Sequence, residues 1–116
     1  MRHARGNKKL SKPTDQRLAL LKSLCVSLFT YKKIKTTDTR AKEAKKYAER
    51  IVTLGKKGDL HSRRKALRLL PNKEIIKTVF DSIAKDYESR DGGYTRITKL
   101  HQRKGDGVMI SLLELV

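Results

Sequence analysis

Lys42, Lys46 and Arg50 recur every four residues, and at 100° per residue they fall on one face of a helix. Two readings of that face stand. It is a solvated surface partly neutralised by Glu43 and Glu49 at helical spacing, or a ridge of cations that tracks phosphates. Closer to the start, Arg2, Arg5, Lys8, Lys9 and Lys12 stand in a segment without a single acid. The chemistry open to such side chains is electrostatic: guanidinium grips a phosphate through two parallel N–H donors, and ammonium acts as a point charge.

Covalent and metal chemistry find no comparable constellation. His3, His61 and His101 share no metal-ligand spacing with one another or with Cys25. The carboxylates are scattered singly, with no pair set up for acid/base or two-metal work. No Walker loop and no dinucleotide fingerprint occurs, so neither an enzyme nor a cofactor is expected. Cys25 falls inside an apolar stripe and reads as a structural thiol. Leu54-Gly55-Lys56-Lys57-Gly58 matches the GxxG loop with which KH domains clamp a nucleic-acid backbone. A glycine ending a helix before a turn explains the same residues more simply.

The chain that must position these cations has 116 residues, enough for one small domain with one core. Lys and Arg number 29 against 12 Asp and Glu, a formal net charge of +17. Residues 1–65 hold 20 of the cations and 5 of the acids, whereas residues 66–116 hold 9 and 7. A merely solvated surface mixes the signs more evenly, so the asymmetry points to one side that faces a polyanion. No apolar run approaches the ~20 residues of a membrane span, so no membrane partner is expected. Neither a signal peptide nor the amphipathic pattern of a transit peptide is visible, and a lone cysteine fits a reducing compartment. The expected location is the cytoplasm.

Residues 1–13 carry too little apolar material to order themselves and read as a basic, flexible tail. Leu18, Leu21, Cys25, Leu28 and Phe29 recur at three- and four-residue steps and predict a helix over 14–31. The alternating, β-branched residues 33–37 predict a short strand. A second helix is expected over 38–57, capped by Thr37 or Asp38, with Ala41, Ala44, Ala48, Ile51 and Val52 inside. A third over 59–70 bears the run Arg63-Arg64-Lys65, and a fourth over 73–88 has Ile76, Val79, Phe80, Ile83 and Tyr87 as its apolar face. After a turn at Asp91-Gly92-Gly93, residues 94–103 and 108–116 predict a hairpin. Its second strand is apolar enough to be covered on both faces. The expected fold is α+β: a roughly three-stranded sheet packed with three to four helices, forming one domain over 14–116 behind the tail.

Aromatic residues make up 5% of the chain, and no zinc-finger, basic-zipper or RNP pattern occurs. Base stacking is therefore not the expected mode, and backbone contacts to a shaped RNA are. On charge alone, a nucleoid-type architectural DNA-binding protein fits equally well.

Collinear motifs separate the two. Met1-Arg2-His3, Ile34-Lys35-Thr36-Thr37 and Arg40-Ala41-Lys42-Glu43 open the series. Ile51-Val52-Thr53-Leu54, Gly92-Gly93-Tyr94-Thr95-Arg96-Ile97 and Glu114-Leu115-Val116 complete it. In this order and spacing they resemble the bacterial large-subunit ribosomal protein seventeen family over essentially the whole chain. The chain departs from the family's pattern at Ala4, at Gln16-Arg17 and around Thr39. The resemblance implies a structural, non-catalytic ribosomal protein near the peptide exit tunnel, bound to large-subunit rRNA and to neighbouring ribosomal proteins. It implies no small-molecule substrate, and the chain is expected to be monomeric off the ribosome. The rRNA contacts expected are Arg2, His3, Arg5, Lys8, Lys9 and Lys12 in the tail, then Arg17, Lys32, Lys33, Lys35, Arg40, Lys46 and Arg50, and finally Tyr94 and Arg96. For Tyr94, packing at the sheet end is an equal alternative.

Overall fold

Asp15 stands in a first turn, where the helix dipole favours an anion, and the computed structural model, which describes residues 14–116, has that helix (α1) over Thr14–Tyr31. It buries Leu21, Cys25, Leu28 and Phe29. Lys32 ends it: with φ at +70° its N–H closes onto the Leu28 carbonyl at 2.7 Å, and the chain turns straight into β1, Lys33–Thr37.

The Thr37 hydroxyl then accepts from the Arg40 N–H at 3.4 Å and starts α2, Asp38–Lys57. All five expected inner residues of α2 are fully buried. Three of them are alanines, which lets α1 and the sheet approach the α2 backbone closely. The helix ends at Gly58, whose φ of +69° suits a left-handed cap. Asp59 caps α3 (Leu60–Leu69) by accepting from the Ser62 N–H at 2.7 Å, and Asn72 caps α4 (Lys73–Thr78) by accepting from the Ile75 N–H at 3.1 Å.

The fourth helix departs from the regular one expected over 73–88. Its α-helical part stops at Thr78, a wide π-helical turn occupies Val79–Ile83, and a tight 3-10 turn occupies Ala84–Tyr87. All five expected residues are still buried, with Ala84 added to them. This segment lies against Gly55 of α2. A Cβ on Gly55 would stand 3.0 Å from the Ala84 Cβ and 3.2 Å from a Val79 methyl, so the glycine permits the contact. That overturns the KH reading of residues 54–58. Gly55 belongs to the helix interior, Gly58 is its cap, and no exposed loop joins them.

The sheet has the order β1-β3-β2, with β2 (Thr95–Gln102) and β3 (Met109–Leu115) forming the hairpin and every pair antiparallel. Ile34, Leu113 and Ile97 make one row across its inner face, towards the helices. A bulge between Lys99 and His101 interrupts β2. Here, too, one expectation fails. Ser111 and Leu113 are buried, but Ile110, Leu112 and Glu114 are only half-buried, so β3 is covered on one face. Its apolar run reflects its central place between two strands. The buried apolar residues of all these elements form one cluster, with α2 packed against α1, α3 and all three strands.

Candidate nucleic-acid interface

Because α2 buries the stripe that includes Ala44, Ala48 and Ile51, its opposite side must carry Lys42, Lys46 and Arg50, and all three are exposed. Of the two acids expected to neutralise this ridge, one does so and the other is engaged elsewhere. Glu43 is turned inward and 4% exposed, with Lys46 reaching its carboxylate at 3.5 Å. Glu49 accepts a 2.6 Å hydrogen bond from the Thr95 hydroxyl of β2. Lys42 pairs instead with Asp38 at 3.0 Å. That aspartate also accepts from the Ser111 hydroxyl, and these hydrogen bonds, the serine's first, hold its carboxyl below the usual carboxylate range. Arg50 has no acidic partner among the described residues.

Arg17, one turn into α1, joins this ridge. It lines a depression of about 150 Å³ together with Lys46, Arg50, Tyr47 and the acid Glu43. Lys32, Lys33 and Lys35 sit at the other end of α1, roughly 22 Å from Arg17 by the helical rise. Lys33 and Lys35 are exposed on the outer face of the edge strand β1. Arg96 belongs to that same face: Lys33, Glu114 and Arg96 lie opposite one another across the three strands. Its Nε and Nη2 donate to one oxygen of Glu114 at 3.0 and 2.8 Å. Arg40 is half-buried in the first turn of α2. The expected contacts thus form two groups, one around the start of α1 and one on the sheet. Arg2, His3, Arg5, Lys8, Lys9 and Lys12 lie outside the described residues.

For Tyr94 the structure has the packing alternative. The residue is 3% exposed, its ring 5.1 Å from that of Tyr87, and Lys56 donates to its hydroxyl at 3.0 Å. Cys25 is fully buried against the Ala44 carbonyl, and burial pushes its thiol up to about 12. Such a thiol is inert at neutral pH.

Two cations were not among the expected contacts. Lys65 and Arg68, on the exposed side of α3, face Lys46 and Arg50 across a groove of about 770 Å³ floored by Leu54 and Leu69. The run Arg63-Arg64-Lys65 marked the helix, but run length does not say which member faces which neighbour. Arg63 turns the other way, its guanidinium 4.9 Å from the Phe80 ring and 3.6 Å from Asp81.

Among the described residues no group of three His, Cys, Asp or Glu could hold a metal ion. What the surface offers is a set of cations on two packed helices, suited to holding a polyanion. Comparison with known proteins gives this arrangement a context. The family model for Ribosomal protein L17 matches residues 20–116. A large ribosomal subunit protein bL17 of Clostridium beijerinckii is 51% identical over 111 residues, spanning 96% of this chain and 98% of that protein. A protein of the same name from Caldanaerobacter subterraneus subsp. tengcongensis is 50% identical over 109 residues, 94% of this chain and 97% of that one.

Proposed function

The chain belongs to the ribosomal protein L17 family, and from that premise we propose that it is a structural constituent of the large ribosomal subunit in the cytoplasm. Residues 14–116 act as one rRNA-binding body, with residues 1–13 as a basic extension of it. Lys and Arg contacts to the backbone of large-subunit rRNA hold it in place near the peptide exit tunnel. Other ribosomal proteins are its neighbours, and it has no catalytic role.

The observation that supports this reading best is the meeting of Arg17, Lys46 and Arg50 from two helices on one exposed side. The extension over residues 1–13 enters α1 at Thr14, less than one helical turn before Arg17. Its five Lys/Arg and His3 add to the cations of the helices in this reading. Lys32, Lys33, Lys35, Arg40 and Arg96 extend them along the sheet side. Tyr94 acts from below the surface by holding Lys56.

The test is chemical footprinting of large-subunit rRNA with the full chain at about 0.2 M salt, against excess tRNA and duplex DNA, because nonspecific attraction weakens steeply at such salt. A discrete protected region that survives both competitors is expected. Protection lost equally to duplex DNA would reopen the nucleoid-type reading.

A further inference from the structure

Lys46 and Arg50 of α2 meet the depression at Arg17 on one side and a larger groove towards α3 on the other. There the groove floored by Leu54 and Leu69 has Lys46 and Arg50 on one wall and Lys65 and Arg68 on the other. The walls are fixed relative to each other, since the Tyr47 hydroxyl of α2 donates to the Leu69 carbonyl at the end of α3. Each wall spaces its two cations about one helical turn apart, roughly 4.5–6 Å along the axis. Glu49 is the one acid in the lining, and its Oε2 accepts from the Thr95 hydroxyl. Lys65, Arg68 and Arg50 have no acidic partner among the described residues.

The geometry points to the α2–α3 groove as a seat for a single-stranded stretch of RNA backbone, gripped from both walls, with Lys65 and Arg68 as its second set of phosphate contacts. This rests on the rRNA-binding reading above and adds to it a site, a strandedness and two residues. Helices packed directly on each other lie about 8–10 Å apart, so the groove between them admits a strand, whereas a duplex would meet only the outer rim. Phosphates along the rim leave the apolar faces of the riboses over Leu54 and Leu69, where an empty groove exposes aliphatic surface to water. The neighbouring depression at Arg17 continues the line, since Lys46 and Arg50 belong to both. Arg50, Lys65 and Arg68 on the two walls, with Arg17 beyond, match a polymer with one negative charge per nucleotide. An acidic protein segment would have to supply carboxylates at that same density.

The experiment measures the full chain on a large-subunit rRNA transcript as log K against log[salt]. Three variants are compared with wild type: Lys65→Gln/Arg68→Gln, Thr53→Trp and Lys73→Gln/Lys77→Gln. Thr53 is exposed in the groove lining, so a tryptophan there fills the groove without altering charge. Lys73 and Lys77 are exposed on α4, outside the groove, and serve as the control pair. The Lys65/Arg68 variant is expected to lose about 1.4 from the slope, at about 0.7 per contact to a single strand. Thr53→Trp should weaken binding at least tenfold with footprint protection lost at one single-stranded stretch, and the control pair should keep both. If wild type protects its rRNA region while both groove variants behave like the control, the groove inference falls and the rRNA-binding reading stands. If groove variants bind rRNA normally but fail to enter large subunits, the occupant is a protein and the inference is overturned. Failure of wild type to protect any region removes both.

Discussion

Arg50 and Arg96 are both exposed arginines on regular elements, and they are in opposite electrostatic states. Arg96 donates twice to Glu114 on the next strand, and further along the hairpin Arg103 donates through Nε to Asp106 at 3.0 Å. Arg63, on the side of α3 towards the C-terminal segment, is met by Asp81. Across α1, α2 and the outer side of α3, Arg17, Arg50, Lys65 and Arg68 have no such partner among the described residues. Exposed ion pairs contribute at most about 1 kcal/mol to stability, so the pairing in the hairpin does little to hold the fold together. What it does is cancel charge locally. A polyanion approaching this protein meets a quiet C-terminal region and an uncompensated helical one, a contrast that net charge alone does not convey.

The strongest way to break that contrast is to neutralise each set separately. Arg17→Gln/Lys46→Gln/Arg50→Gln should lower the salt slope for rRNA binding by up to about 2.1 and weaken binding on the order of 10²-fold near 0.1 M salt. Arg96→Gln/Arg103→Gln removes cations already answered by acids, so less than a tenfold loss is expected in the same titration. Equal losses from the two sets would mean that pairing does not silence the hairpin.

The contrast is one of surface and not of core, and a second substitution sharpens it. Leu113 is fully buried at the centre of the sheet, in the single cluster that also contains Phe29, Ile51 and Leu70. Leu113→Ala should cost about 2–5 kcal/mol, read as a lowered urea midpoint. Helical CD and hairpin amide signals should disappear in one transition, since both regions rest on that cluster. A hairpin that melts on its own, leaving the helices folded, would show two bodies where one is proposed.

How far the sequence carried this picture depends on what kind of information each feature needs. Periodicity was enough for α1, β1 and α2, because their apolar residues repeat at one spacing and their caps are local. It was enough for five of the residues buried in 73–87 and not for the pitch or for Ala84, since apolar spacing does not set which carbonyl each N–H meets. Within the candidate interface, Lys46 and Arg50 were legible because one helix sets both. Lys65 and Arg68 were not, because their role comes from which helix lies across from them, a tertiary fact. Of the two glutamates, Glu43 does meet Lys46 at helical spacing although it is itself buried, whereas Thr95, 46 residues further on, takes hold of Glu49. Tyr94 shows that a residue in a shared motif can serve the fold.

The smallest effect concerns the hairpin's own pairing. Hydrogen bonds from Arg103, and after them from the Val108 N–H, hold the Asp106 carboxyl at about 2, against 3.8 for an ordinary aspartate. A carboxyl lowered by folding favours the folded turn above pH 3.8 and loses that contribution as the pH falls from there towards 2. The Val108 N–H, which donates to Asp106 Oδ1 at 3.3 Å, reports the change directly. Its amide shift should titrate with a midpoint near 2, and Arg103→Gln should move that midpoint up towards 3.8. The pair is exposed and screened, so 0.5 M salt should also raise the midpoint. A wild-type midpoint already at 3.8 would mean the turn does not hold Arg103 and Asp106 together in solution. Arg103 would then be as uncompensated as Arg50, and the quiet side of the molecule would end at Arg96.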